Sequence, residues 1–207
     1  MKKFLLGLAV VAGLFAILLI GGCQSYNRLV VQKQSVDKSW ADVQNVYQRR
    51  ADLIPNLVKT VEGAANFEKS TLTEVIQARQ QVTNLQVDPN ASPQDPETLK
   101  RFQQSQEALS GALSRLLVVV ERYPDLKANA NFRDLQAQLE GTENRISVER
   151  GRFNGAVQSY NTSIEQMPTR LYAGAFGFHP RPYFAAKAGA ETPPPVNFEF
   201  GKPAPAN

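Results

Sequence analysis

The sequence predicts an all-α protein: an up-and-down four-helix bundle with long helices, an N-terminal membrane anchor and an irregular aromatic C-terminal strap. Three observations lead there. Apolar residues recur in alternating steps of three and four over long stretches that short Pro-, Asn- and Asp-rich breaks separate. An uncharged run precedes the first of these stretches. After Pro168, aromatics are interleaved with Gly and Pro, a composition that cannot continue a helix.

Residues 1–22 read as a signal peptide or membrane anchor. Met1-Lys2-Lys3 is a short basic start, and Phe4 to Gly22 is uncharged and just long enough to span a bilayer as a helix. Ile20-Gly21-Gly22-Cys23 has the apolar residue, the two small residues and the cysteine that lipoprotein processing requires, and Cys23 is the one cysteine of the chain. Lipidation of Cys23 is therefore the reading adopted here, with an uncleaved transmembrane helix as its rival. Either way Lys2 and Lys3 are expected to stay inside, so that the rest of the chain faces the periplasm or the cell exterior, anchored in a bacterial-type envelope membrane by the lipobox-like segment. Residues 23–33 are taken as a linker next to the anchor.

The bundle is assigned to residues 34–167. Its first helix runs from about Gln34 to Asn66, with Val36, Trp40, Val43, Tyr47, Arg50, Ile54, Leu57 and Val61 on one seam. A second begins near Phe67 to Ser70 and carries Leu72, Val75, Ile76, Arg79, Val82 and Leu85. Val87 to Pro96 is a turn-rich loop, and Asp95-Pro96-Glu97 is a strong start signal for a third helix. That helix buries Leu99, Phe102, Leu109, Leu113, Leu116, Leu117 and Val120 and stops at Tyr123-Pro124. After a turn from Asp125 to Asn129, the fourth keeps its period from Phe132 to Met167, about 36 residues or roughly 54 Å. Gly151 and Gly155 in it suit the close approach of another backbone. Short connections make neighbours antiparallel.

The first helix contains the least ordinary stretch, Gln48-Arg49-Arg50-Ala51-Asp52-Leu53-Ile54-Pro55-Asn56-Leu57-Val58. Arg50 falls on the buried seam, and a guanidinium there needs a carboxylate or several carbonyls from another helix. Glu143 and Glu149 are the candidates, with Asn144 and Arg145 beside them. Pro55 removes a backbone donor and predicts a kink or break, and Asn56 is placed to cap a group so freed. Arg49, Arg50, Asp52, Asn56, Glu143, Asn144 and Arg145 thus form a candidate polar network or binding site.

The same residues carry a resemblance. Arg-Arg-x-Asp-Leu-Ile-Pro-Asn-Leu-Val, preceded by Tyr26-Asn27-x-Leu29-Val30 and Trp40, resembles the signature of the LemA family of bacterial membrane-anchored helical proteins. It continues through Ala78-Arg79, Glu143-Asn144-Arg145-Ile146, Tyr160-Asn161, Met167-Pro168, Phe176-Gly177-Phe178 and Arg181-Pro182-Tyr183-Phe184, covering nearly the whole chain after the apolar run. Two positions depart from it: Met167 stands where the family usually has Phe, and Cys23 ends a lipobox-like segment where many members carry a plain span. The resemblance implies the same helical bundle and names no reaction.

Residues 168–191 form the aromatic strap, and 192–207, with Pro193-Pro194-Pro195, a disordered tail. Seven of the eighteen aromatics follow Pro168, a density that suits a strap folded over apolar surface. Its alternative use is docking a partner through Phe176, Phe178, Arg181, Tyr183 and Phe184.

Composition limits the function. The formal charge is +4, and subtracting Lys2 and Lys3 from 23 basic residues leaves 21 against 19 acidic, with no clustered basic face, so no nucleic-acid partner is expected. The single histidine, His179, has no nucleophile patterned with it, and no metal-ligand or phosphate-loop spacing occurs; no catalytic residue, metal or cofactor is expected. Two functions remain: a non-enzymatic adaptor or scaffold for an envelope protein, or a sensory module that binds a ligand at the polar cluster.

Overall fold

The computed structural model describes residues 2–64, 67–85, 88 and 91–185, with side chains in the first helix from Gly21 onward and at Gly13. The side chains of the apolar run before Gly21, the last residues of the expected strap and the 192–207 tail lie outside this description. The chain is all-α, with long helices packed against one another: α1 (Lys2–Glu62), α2 (Lys69–Asn84), α3 (Pro96–Val120), a short α4 (Pro124–Ala128) and α5 (Ala130–Glu165).

Neighbouring helices run antiparallel. Gln32 of α1 donates to the Ser159 carbonyl of α5, Trp40 packs against Phe153, and Arg50 meets Glu143, so each step forward on α1 is a step back on α5. Likewise Glu74 of α2 pairs with Arg115 of α3, and Glu68, just before α2, with Arg122, just beyond α3. Two apolar cores result. One joins Ile54, Leu57 and Val61 to Val75, Leu109, Leu116, Phe132 and Leu135. The other joins Leu29, Val36, Trp40 and Val43 to Phe102, Ile146, Phe153, Val157 and Tyr160.

Several details depart from the sequence reading. Residues 23–33 are not a linker but part of α1, and Leu29 is 1% exposed. Leu29 stands seven residues before Val36, so the seam extends one heptad further back than its start at Val36. The expected turn after Pro124 is largely the one-turn α4, which Leu126 pins to the core. Met167 lies beyond the end of α5 and is exposed. Gly151 and Gly155 face open space, since a Cβ added at either meets nothing within 4 Å; no backbone approaches them. Asp95 does cap α3, accepting from the backbone of Glu97 and Thr98 at 3.2 and 3.0 Å.

Pro55 does not break α1. A proline at this position leaves the Ala51 carbonyl without its usual donor one turn on. Arg79 of α2 supplies the replacement, its Nε donating to the Ala51 oxygen at 3.0 Å. Asn56, the expected cap, is exposed and takes no part.

Beyond α5 the chain makes two short 3₁₀ turns, Thr169–Leu171 and Gly174–Phe176, and then runs back along α5 in an extended form to Ala185. Side-chain amides replace the hydrogen bonds that a neighbouring strand would make. Asn161 accepts from the Arg181 N–H at 2.8 Å and donates to its carbonyl at 2.9 Å. Asn154 holds Phe184 in the same way, at 2.9 and 3.1 Å, and Gln103 of α3 holds Ala185 at 3.3 and 3.2 Å. These clasps satisfy the backbone of a segment that lies against an apolar core, and they deliver Phe178 and Phe184 into it.

The Pro55–Arg79 arrangement predicts a coupled pair. Arg79→Ala should cost about 1–2 kcal/mol by leaving a buried carbonyl unmet, and clearly less when Pro55→Ala has restored the backbone donor. A double-mutant cycle by urea unfolding measures this, and additive losses would refute the exchange of donors.

Candidate functional site

The two apolar cores are separated by one polar layer. On α1 it falls between Tyr47 and Ile54, on α3 at Gln106 and Ser110, between Phe102 and Leu113, and on α5 between Leu139 and Ile146. Arg50 occupies its centre and is 2% exposed. The seam that places Val43 and Leu57 inside, each one heptad from Arg50, places the guanidinium inside too.

Arg50 is held from two helices. Its Nη1 donates to Ser110 Oγ at 2.8 Å and to Glu143 Oε2 at 2.9 Å; its Nη2 donates to the Gln106 carbonyl at 3.2 Å and to Gln106 Oε1 at 2.5 Å. Its Nε is buried and lacks a hydrogen-bond partner. The guanidinium also lies 5.1 Å from the centroid of the Tyr47 ring, within cation–π range. Glu143 keeps 45% of its side chain in solvent, so the charge pair joins a buried cation to a half-hydrated anion.

That half-open edge is flanked by two clefts between α3 and α5. One, of about 310 Å³, is lined by Tyr47, Arg50, Gln103, Gln106, Glu143 and Arg150, among others. The other, of about 250 Å³, lies toward Leu113, Leu117 and Leu139. Burial pushes the Tyr47 hydroxyl above its usual value of 10.0, against the opposing pull of Arg150 and Arg50. Arg150 further lies over the Phe184 ring at 4.7 Å and donates to the Ala185 carbonyl at 2.8 Å, linking the first cleft to the strap.

The structure brings Arg50 and Glu143 together and leaves the other members of the expected cluster outside. Arg49, Asp52, Asn56, Asn144 and Arg145 are all exposed, because positions one or two steps from a buried seam turn away from it. Asp52 instead accepts from Gln48 on the helix surface at 2.8 Å. Gln106 and Ser110, which complete the layer, were not read from the sequence; their signal is a pair of neutral polar residues, four apart, between Phe102 and Leu113 on the buried side of α3. Of the strap's expected docking residues, Phe178, Arg181 and Phe184 are 4–6% exposed and serve the interior, which removes them from a docking surface; Phe176 and Tyr183 stay exposed. Arg181 donates to the Ser92 carbonyl at 2.6 Å, and Ser92 N–H donates to Asp37 of α1 at 3.0 Å, so strap, loop and first helix are tied together. Cys23 and His179 are exposed, and among the described residues no three His, Cys, Asp or Glu side chains gather as a metal site.

The LemA family profile matches residues 39–198. The chain belongs to the LemA family. Among its relatives, magnetosome protein MamQ 2 of Paramagnetospirillum magneticum is 26% identical over 183 residues, 81% of this chain and 67% of the relative. Magnetosome protein MamQ of Magnetospirillum gryphiswaldense is 25% identical with the same coverage. Protein LemA of Metamycoplasma hominis is 26% identical over 171 residues, 82% of this chain and 72% of the relative. The matched span of this LemA-family chain contains the entire polar layer.

Two outcomes follow from the layer. Arg50→Ala should lower stability by about 3 kcal/mol, since it strands the buried Gln106 acceptors and opens a void, whereas Glu143→Gln, at a half-hydrated position, should cost about 1 kcal/mol. Urea unfolding midpoints decide; equal or negligible losses would deny the layer its role. The second concerns alkali. Because burial favours the neutral phenol, the folded chain keeps the Tyr47 proton to higher pH than the unfolded chain does. This contribution is complete below the usual value of 10.0 and is lost as pH rises through the higher folded value. Tyr47→Phe should flatten that alkaline decline, with Tyr160, raised for the same reason, supplying a remainder.

Proposed function

We propose that this LemA-family chain is an envelope-anchored, non-enzymatic adaptor or scaffold, whose helical body lies outside the cytoplasm and offers its outer face to another membrane or envelope protein. The observation that carries this reading is the internal use of Arg50. Four of its donor contacts go to α3 and α5, so its charge is used to join helices. What remains for interaction is the bundle surface, where Val118 of α3 and Val148 of α5 are 71% and 53% exposed. The magnetosome relatives are named for a cellular structure and not for a reaction, which accords with this role.

A second reading has an observation of its own. The clefts beside Arg50, together with its unpartnered Nε, suit a small anion or a peptide end, as in a sensory module.

Photo-cross-linking in the host distinguishes the two. With a photoreactive residue at position 118 or 148, the scaffold reading expects discrete protein adducts that persist in a folded Arg50→Met variant. Loss of the adducts in that variant, with its helicity and membrane attachment intact, would favour the ligand reading. No adduct from either face would remove the scaffold reading.

A further inference from the structure

The end of the bundle nearest the N-terminal apolar run carries a concentration of exposed apolar side chains. Among the described residues, nine large hydrophobic side chains are exposed, and four of them, Tyr26, Met167, Leu171 and Phe176, belong to this end. Met167, Leu171 and Phe176 are 70%, 76% and 62% exposed, a degree of exposure that a bundle able to bury Phe178 a few residues later does not require. The group is ordered. Phe176 lies edge-on to Tyr26 at 5.5 Å and to Tyr172 at 5.9 Å, and Tyr26 also meets Phe178 at 5.5 Å. The two 3₁₀ turns are thereby fastened to one level of α1.

That level is set by the chain itself. Helix α1 is continuous from Lys2, so Tyr26 stands four residues, about 6 Å along the axis, beyond Gly22, where the uncharged run ends. The polar headgroup layer on each side of a bilayer is of similar thickness, about 5–8 Å. If residues 4–22 occupy the hydrocarbon, Tyr26 and the turns packed on it therefore lie in the headgroup layer. An acylated Cys23, one turn before Tyr26, gives the same placement. Exposed Arg28 and Arg170 flank the apolar group, the pairing of aromatic and cationic side chains that suits a membrane interface with anionic lipid.

We propose that the turn formed by residues 166–177 is a second membrane contact, with Met167, Leu171 and Phe176 seated in the lipid headgroup region beside the N-terminal anchor and Arg28 and Arg170 meeting lipid phosphates. The inference rests on the anchored reading given above. A second attachment beside the first limits the tilt of the bundle, where a single helix or lipid leaves it free to swing.

The test uses the full chain with Cys23→Ala, reconstituted in vesicles of phosphatidylethanolamine with a minority of phosphatidylglycerol. An environment-sensitive fluorophore is attached at a single introduced cysteine: Gly13→Cys in the anchor, Met167→Cys or Leu171→Cys in the turn, or Val118→Cys at the far end of α3. The expected result is a deep label at position 13, labels at 167 and 171 quenched several-fold more than that at 118 by a headgroup-level nitroxide lipid, and an aqueous label at 118. A deep label at 13 with 167 and 171 quenched no more than 118 would overturn the second contact and leave the anchor standing. An aqueous label at 13 would overturn the anchor, and the second contact with it.

Discussion

A buried guanidinium imposes conditions on everything around it. Arg50 cannot shed its charge, so the helices that enclose it must bring acceptors to one level. Ser110, Gln106 and Glu143 do so from α3 and α5, which divides the interior into two apolar cores with a polar layer between them. Sliding α5 by one turn against α1 would keep apolar residues facing each other but would remove Glu143 from Arg50. The layer thus supplies the register that interchangeable aliphatic side chains do not specify.

A second constraint is set one turn along the same helix. Pro55 leaves a carbonyl of α1 open, and Arg79 of α2 closes it, so the second helix is committed to this level as the third and fourth long helices are. All four converge on a stretch of about one and a half turns of α1, and the motif Arg-Arg-x-Asp-Leu-Ile-Pro-Asn contains both the charge and the gap that they answer.

Much of this was readable from residue patterns. The three-and-four spacing gave the four long helices, and the chemistry of a guanidinium on an apolar seam pointed to Glu143. Other features lacked such a signal. Arg49, Asp52 and Asn56 sit next to Arg50 in sequence but are carried to the outer surface by the helical turn, so proximity along the chain suggested a cluster that three dimensions disperse. Gln106 and Ser110 are neutral and look like ordinary interruptions of a pattern. The answer to Pro55 came from a residue 24 positions away, acting through a backbone oxygen that has no sequence identity. The heptad position of Leu29 was visible in principle, but residues 23–33 were assigned to a linker beside the lipobox-like segment.

The amide clasps along α5 have a consequence for how the strap can evolve. Asn154, Asn161 and Gln103 grip peptide groups, which every residue provides, so they bind the course of the strap and are indifferent to most of its letters. Only Phe178, Arg181 and Phe184 are read as side chains. The Tyr183 side chain, which points outward between them, contributes nothing to this grip, so replacing it would leave the attachment of the strap intact.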